Sequence, residues 1–198
     1  INATLTGPMG NTISGHHSDA LTAFGDLIPQ VTLKWNQGVH NYMVYGTGGI
    51  PVGSYNPNRL VNLGLGHGAI DGGVGYTYFD PTKGHEFSVV TGMTYNFENK
   101  DLQYKNGIDW HVDWGLSQFL NQQVFVGAVG YWFQQITSDS GAGASLGPFK
   151  SRVGGIGPQL GYIFPVSKDV QGLLNVKGYW EFEAENRPKG WNMWLVLN

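Results

Sequence analysis

The chain has no cysteine, which excludes disulfides and cysteine–metal centres. Lack of thiols also suits a protein that crosses the periplasm unfolded, where a stray thiol can be trapped as a disulfide. Charge is scarce. Asp, Glu, Lys and Arg make up 13% of 198 residues, about half the usual quarter. Net charge is −3 and no basic run exists, so nucleic acid is not an expected partner. No stretch approaches the ~20 consecutive apolar residues of a transmembrane helix. The mean hydropathy of −0.20 does not argue against a membrane β-barrel, in which lipid-facing and lumen-facing residues alternate and average out. Glycine (31 residues) and aromatics (14%) are abundant, and glycine is a poor helix former.

The clearest pattern lies in residues 170–185. Val170, Gly172, Leu174, Val176, Gly178, Trp180, Phe182 and Ala184 hold the even positions. Gln171, Asn175, Lys177, Glu181, Glu183 and Glu185 fall on the odd ones. Successive side chains of a strand point to opposite faces, so one face is apolar and aromatic and the other charged. A soluble β-sandwich or a ligand-binding barrel buries the apolar face. A membrane barrel turns it to lipid and the polar face to a water-filled lumen.

Strands are predicted at 25–36, 39–53, 68–80, 84–98, 107–120, 122–136, 151–164, 170–184 and 190–198, with a tenth, partial one at 1–6. Most are ~9 to 15 residues long, as tilted transmembrane strands require and typical globular strands do not. Connections alternate. Asn36-Gln37-Gly38, Pro81-Thr82-Lys83-Gly84, Asn121 and Val166-Ser167-Lys168-Asp169 are short and rich in turn formers. Residues 7–24, 54–67, 99–106 and 137–150 form longer loops between them. Outer-membrane barrels pair short periplasmic turns with longer extracellular loops. Trp35, Tyr78, Phe119 and Phe164 fall near the short-turn ends, where an aromatic girdle is expected. The fold expected is one domain over 1–198, an all-β, transmembrane, antiparallel up-and-down β-barrel with ten strands in view.

Under this register the lumen-facing acids are Asp71, Glu86, Glu98, Asp109, Asp113, Glu181, Glu183 and Glu185. Lys34 and Lys177 are the bases; His111 and Asn175 share the face. Eight acids against two bases predict a cation-preferring pore. Arg59, Lys150, Arg152, Arg187 and Lys189 lie in or beside outer loops and can fold inward against that charge. The loop 137–150, with Asp139, is a candidate constriction or a solvated surface loop.

Other chemistries are weakly supported. Asp109, His111 and Asp113 sit ~6.7 Å apart along one strand face, too far to hold a metal unaided. His16, His17 and Asp19 offer a second possible cation site in a loop. Ser14 or Ser18 beside His16 and His17 is the only local cluster with hydrolase residue types, and no Gly-x-Ser-x-Gly elbow is present. No catalytic residue, cofactor or resident metal is expected.

The block Tyr131-Trp132-Phe133-Gln134-Gln135-Ile136-Thr137-Ser138-Asp139-Ser140-Gly141-Ala142-Gly143-Ala144 resembles a characteristic segment of the outer-membrane transporter family named for the MetA pathway of phenol degradation. Phe149-Lys150-Ser151-Arg152 and Glu183-Ala184-Glu185-Asn186-Arg187-Pro188-Lys189-Gly190 extend the match, as do Gly25-Asp26-Leu27 and the strand containing Pro51. The resemblance implies outer-membrane channels of Proteobacteria, often encoded near genes for degrading aromatic or hydrophobic compounds. It implies twelve strands, so two are expected before Ile1. Expected surroundings are outer-membrane lipid, lipopolysaccharide and small solutes, with no obligate protein partner. The function expected is passive diffusion of small polar or charged solutes. The alternative is uptake of aromatic or hydrophobic compounds through Tyr45, Phe125, Tyr131, Phe133 and Tyr179 or by a lateral exit. A soluble ligand-binding barrel and an outer-membrane enzyme are the readings of another class.

Overall fold

A computed structural model describes residues 2–6, 12–16, 19–145 and 147–198. These contain strands β1 (Asn2–Thr6), β2 (Thr12–His16), β3 (Gln30–Gln37), β4 (His40–Gly49), β5 (Ala69–Asp80), β6 (His85–Asn96), β7 (Asp109–Phe119), β8 (Val124–Gln135), β9 (Arg152–Pro165), β10 (Gln171–Glu185) and β11 (Trp191–Leu197). β3 to β11 form one antiparallel up-and-down sheet in chain order. β4 to β8 and β11 fall within the predicted segments, and β3, β9 and β10 run one residue past theirs, to Gln37, Pro165 and Glu185. β1 and β2 form a separate hairpin, so the predicted tenth strand does not join the main sheet, and Thr12–His16 is a strand where a loop was expected. Among the described residues β3 and β11 are the sheet's two ends and do not pair with each other. The barrel wall is therefore open there.

Local chemistry sets the short connections. Gly38 takes φ 67° between β3 and β4, a left-handed conformation that glycine adopts without a Cβ penalty, and Asn36 Nδ2 donates to its carbonyl at 2.8 Å. Asp80 Oδ1 accepts from the Thr82 and Lys83 amides at 3.0 and 3.2 Å. Asn121 Oδ1 takes the Gln123 and Val124 amides, both at 2.8 Å. These are Asx turns, the reason Asp and Asn mark reversals.

Curvature decides which face is which. Neighbouring strands lie ~4.8 Å apart, so strands three apart are ~14 Å apart in a flat sheet. Yet Tyr45 of β4 reaches His111 of β7 at 3.3 Å, and Asn192 of β11 reaches Tyr131 of β8 at 3.5 Å. The sheet therefore curls toward the face that these four residues share. That concave face is polar. Asp109, Ser117, Gln135, Gln159 and Asn175 are buried on it, whereas Phe125, Val129 and Val153 are the only buried large apolar side chains among the described residues. The convex face carries exposed Val31, Leu33, Val74, Phe87, Met93, Leu116, Leu160, Val176 and Leu195. This inverts a soluble barrel and matches the alternation of a membrane barrel.

Aromatics cluster on the convex side near the short turns. Trp35 stacks on Tyr42 (6.3 Å between centroids), which meets Tyr76 at 5.6 Å. Tyr162 stacks on Phe164 at 6.1 Å. Phe119 departs from the expected girdle. It pairs with Phe125 across the β7–β8 register and packs on Phe79 and Phe125 at 5.3 and 5.0 Å, on the concave side. Its position near a turn was legible, but its parity, shared with Ser117, is what directs it inward.

Candidate functional site

The concave face is the candidate site. In the β5–β7 wall, Asp71 Oδ2 accepts from Thr94 Oγ1 at 2.5 Å and lies 2.9 Å from His111 Nε2. His111 Nδ1 is 3.9 Å from Asp113. An imidazole thus sits between two carboxylates supplied by different strands, with the Tyr45 hydroxyl beside it. Asp109 turns away from this cluster and accepts from Asn96 Nδ2 at 2.8 Å. No three His, Asp or Glu side chains converge on a metal position among the described residues.

On the β8–β11 wall, the Tyr131 hydroxyl donates to Glu181 at 2.7 Å and its ring meets Tyr179 at 5.2 Å. Glu181 also accepts the Gly190 amide at 2.7 Å. Lower down, Gln159 Nε2 donates to Ser117 Oγ at 3.0 Å, and Gln159 Oε1 accepts from Asn175 Nδ2 at 3.3 Å. Gln135, Gln159 and Ser117 were not singled out as site residues, although they share strand parity with the charged ones. Between the walls lies a cavity of 1210 Å³ bordered by Glu86, Asp113, Lys177, Phe79, Phe119 and Phe125, among others. A typical ligand pocket holds ~300–1,000 Å³ and is lined mostly by apolar groups. This space is larger and has two acids, Glu86 and Asp113, and two lysines, Lys83 and Lys177, on its border.

The predicted charges divide by position. Lys34 is paired with Met43 across β3–β4, on the concave face with Asp71, Glu86, Asp109, His111, Asp113, Lys177 and Glu181. Glu98 lies beyond the end of β6 in an exposed loop. Glu183 sits in a β-bulge at φ 52°. The bulge slips the strand's phase, as an extra residue does, so Glu185 faces Arg152. Arg152 lies 3.4 Å from Glu183 and 3.2 Å from Glu185, a local ion-pair cluster at the rim. Among the loop cations, Arg187 turns inward and lies over the concave Phe133 ring at 5.1 Å.

The long-loop rim is cross-linked. Lys105 and Ser140 exchange backbone hydrogen bonds at 2.9 Å, joining the loop after β6 to that after β8. Asp139 accepts from Tyr104, Gly107 and Gln135, so it anchors its loop to a neighbour. Burial, then the Asp139 carboxylate, pushes the Tyr104 hydroxyl up to about 12. Gln135, only 3% exposed, also reaches the Thr137 and Phe149 carbonyls and Ser151. Lys150 is exposed, and its carbonyl accepts from Asn186 at 2.8 Å. Asp19 pairs with Arg59 at 2.5 Å, and that hydrogen bond holds its carboxyl down at about 2. The cation-site and hydrolase clusters at Ser14, His16, His17 and Ser18 fall outside the described side chains.

The chain is similar in structure to an outer membrane channel from Pseudomonas putida F1. The TM-score is 0.75 at 16% identity, and the match covers 89% of this chain and 66% of that one. The chain thus spans about two thirds of that channel's length, and at this identity the likeness speaks for the fold. No curated protein matches. The sequence itself places the chain in a family across almost its whole length: residues 2–197 match the family described as "Putative MetA-pathway of phenol degradation", and the chain belongs to it.

Proposed function

We propose that the chain forms the wall of an outer-membrane channel for passive diffusion of small polar or positively charged solutes. The carrying observation is the inverted distribution of polarity: buried polar groups line the concave side and exposed apolar ones the convex side. The fold shared with an outer membrane channel supports the reading. The concave charges are Asp71, Glu86, Asp109, Asp113 and Glu181 against Lys34, Lys177 and Arg187. With Glu183 and Glu185 held by Arg152, the acid excess is smaller than parity alone predicts, and the cation preference is correspondingly modest. Walls of low dielectric focus even a small excess into ion selectivity. The setting proposed is the outer membrane, against lipid and lipopolysaccharide, with no catalytic role. Planar-bilayer reversal potentials in a salt gradient test this. Small cation-selective steps that weaken in Asp113→Asn are expected. Anion selectivity, or silence from a folded barrel, rejects it.

A second reading, uptake of aromatic or hydrophobic compounds, rests on the Phe79, Phe119 and Phe125 cluster on the concave face. Liposome-entrapped reporters for an aromatic and a sugar solute separate the two. Faster entry of the aromatic that falls in Phe119→Ser favours this reading.

A further inference from the structure

Arg187 belongs to the five-residue connection between β10 and β11, yet its guanidinium lies over Phe133, a concave residue of β8, at 5.1 Å. A cation within ~6 Å of a ring centroid is attracted by the negative face of the ring. Two carboxylates share this end of the concave face. Asp109 and Glu181 both lie within electrostatic range of Arg187, and His111 is the cross-strand neighbour of Phe133. Tyr131 and Tyr179, ring to ring at 5.2 Å, continue the aromatic surface toward Asp113 and the cavity. Other cations of the rim are engaged differently: Arg59 with Asp19, and Arg152 with Glu183 and Glu185. Arg187 alone among these is spent on an inward-facing ring.

A guanidinium delocalises its charge over a planar, weakly hydrated group, so it stacks on aromatic faces better than a compact ion does. Potassium can use the acids here but gains less from the ring, because its tightly held water must first be shed. We propose that Phe133 with its flanking acids is a docking step for solutes bearing a guanidinium or similar organic cation, occupied at rest by Arg187. An incoming cation must displace that side chain. The arm lowers the resting affinity, and removing it exposes the step. This deepens the cation-channel reading and rests on the concave face being the lumen.

The test uses full-length protein. Guanidinium-to-potassium permeability ratios are read from bi-ionic reversal potentials, and methylguanidinium binding is measured by calorimetry on nanodisc-embedded protein. Removal of one cation–π contact corresponds to roughly three- to tenfold in affinity. Arg187→Ala is expected to raise the guanidinium ratio and tighten methylguanidinium binding by about that factor. Phe133→Leu is expected to abolish the gain when combined with Arg187→Ala, whereas Phe133→Tyr retains it. Heat-modifiable gel migration verifies that each variant is folded. Equal changes for guanidinium and potassium in Arg187→Ala reduce Arg187 to a general charge barrier and overturn the proposal. So does an undiminished gain in the double variant. A wild-type barrel that conducts nothing, but whose Arg187→Ala variant binds methylguanidinium more tightly than wild type, would reject the conduction reading and leave the docking step standing.

Discussion

Val74 and Asp71 belong to the same strand, three residues apart, and live in opposite surroundings. Val74 is 54% exposed on the convex face. Asp71 is tucked into the concave wall between Thr94 and His111. The pairing recurs around the sheet, with Leu116 against Ser117 and Leu160 against Gln159. In a soluble protein the apolar member of each pair is inside. Here the polar member is, and it is satisfied by hydrogen bonds from neighbouring strands. Burial within the chain and hydrophobicity have come apart, the pattern expected where the outer face meets an apolar medium.

The sharpest way to break this contrast is to charge the outer face. Val74→Arg near the middle of β5 is expected to cost about 2–4 kcal/mol if that face meets lipid at the bilayer midplane. Urea titration of refolding into vesicles measures it. A cost near zero would place the face in water.

A smaller effect is expected from the polar side of the comparison. Gln135→Leu removes hydrogen bonds to Thr137, Asp139, Phe149 and Ser151 and leaves part-buried partners unpaired. About 1–3 kcal/mol is the usual cost. The accompanying signature is faster amide exchange in the loop after β8, with the mid-strand amides of β8 unchanged. Unaltered exchange in that loop would show that Asp139 does not depend on Gln135 for its anchoring.

The mildest test sits at the rim, where the contrast between faces no longer applies. The Asp19 carboxyl, held at about 2 by Arg59, titrates below its unfolded value near 3.8. Its contribution is therefore present in full above the unfolded value and is lost as pH falls through about 2. Arg59→Ala should return Asp19 toward the ordinary range, followed by carboxyl carbon NMR, and leave conductance at neutral pH unchanged. An unshifted Asp19 would mean that its other partners, the amide of Val61 among them, suffice.

Much of this was legible one residue at a time. Alternation with period two marks most strands of the sheet, β8 being apolar on both faces, and Asp80, Asn121 and Gly38 mark where strands reverse. Thr12–His16 falls in an expected loop because five residues are too few for alternation to stand out. The slip at Glu183 was equally silent. A bulge changes phase without changing composition, so Glu183 and Glu185 kept their apparent parity while Glu185 came to face Arg152. Asp139 looked free to enter the lumen, and its anchoring by Tyr104, Gly107 and Gln135 joins segments more than thirty residues apart in two cases of the three.

By itself the sequence determined that most strands have one polar and one apolar face (β8 is apolar on both faces from Phe125 to Phe133), since side-chain direction on a strand is a local property of the backbone. It could not determine which face is inside, because the alternation reads the same for either direction of curling. That was decided by contacts spanning several strands, Tyr45 with His111 and Tyr131 with Asn192, which exist only once the sheet has curled toward its polar side.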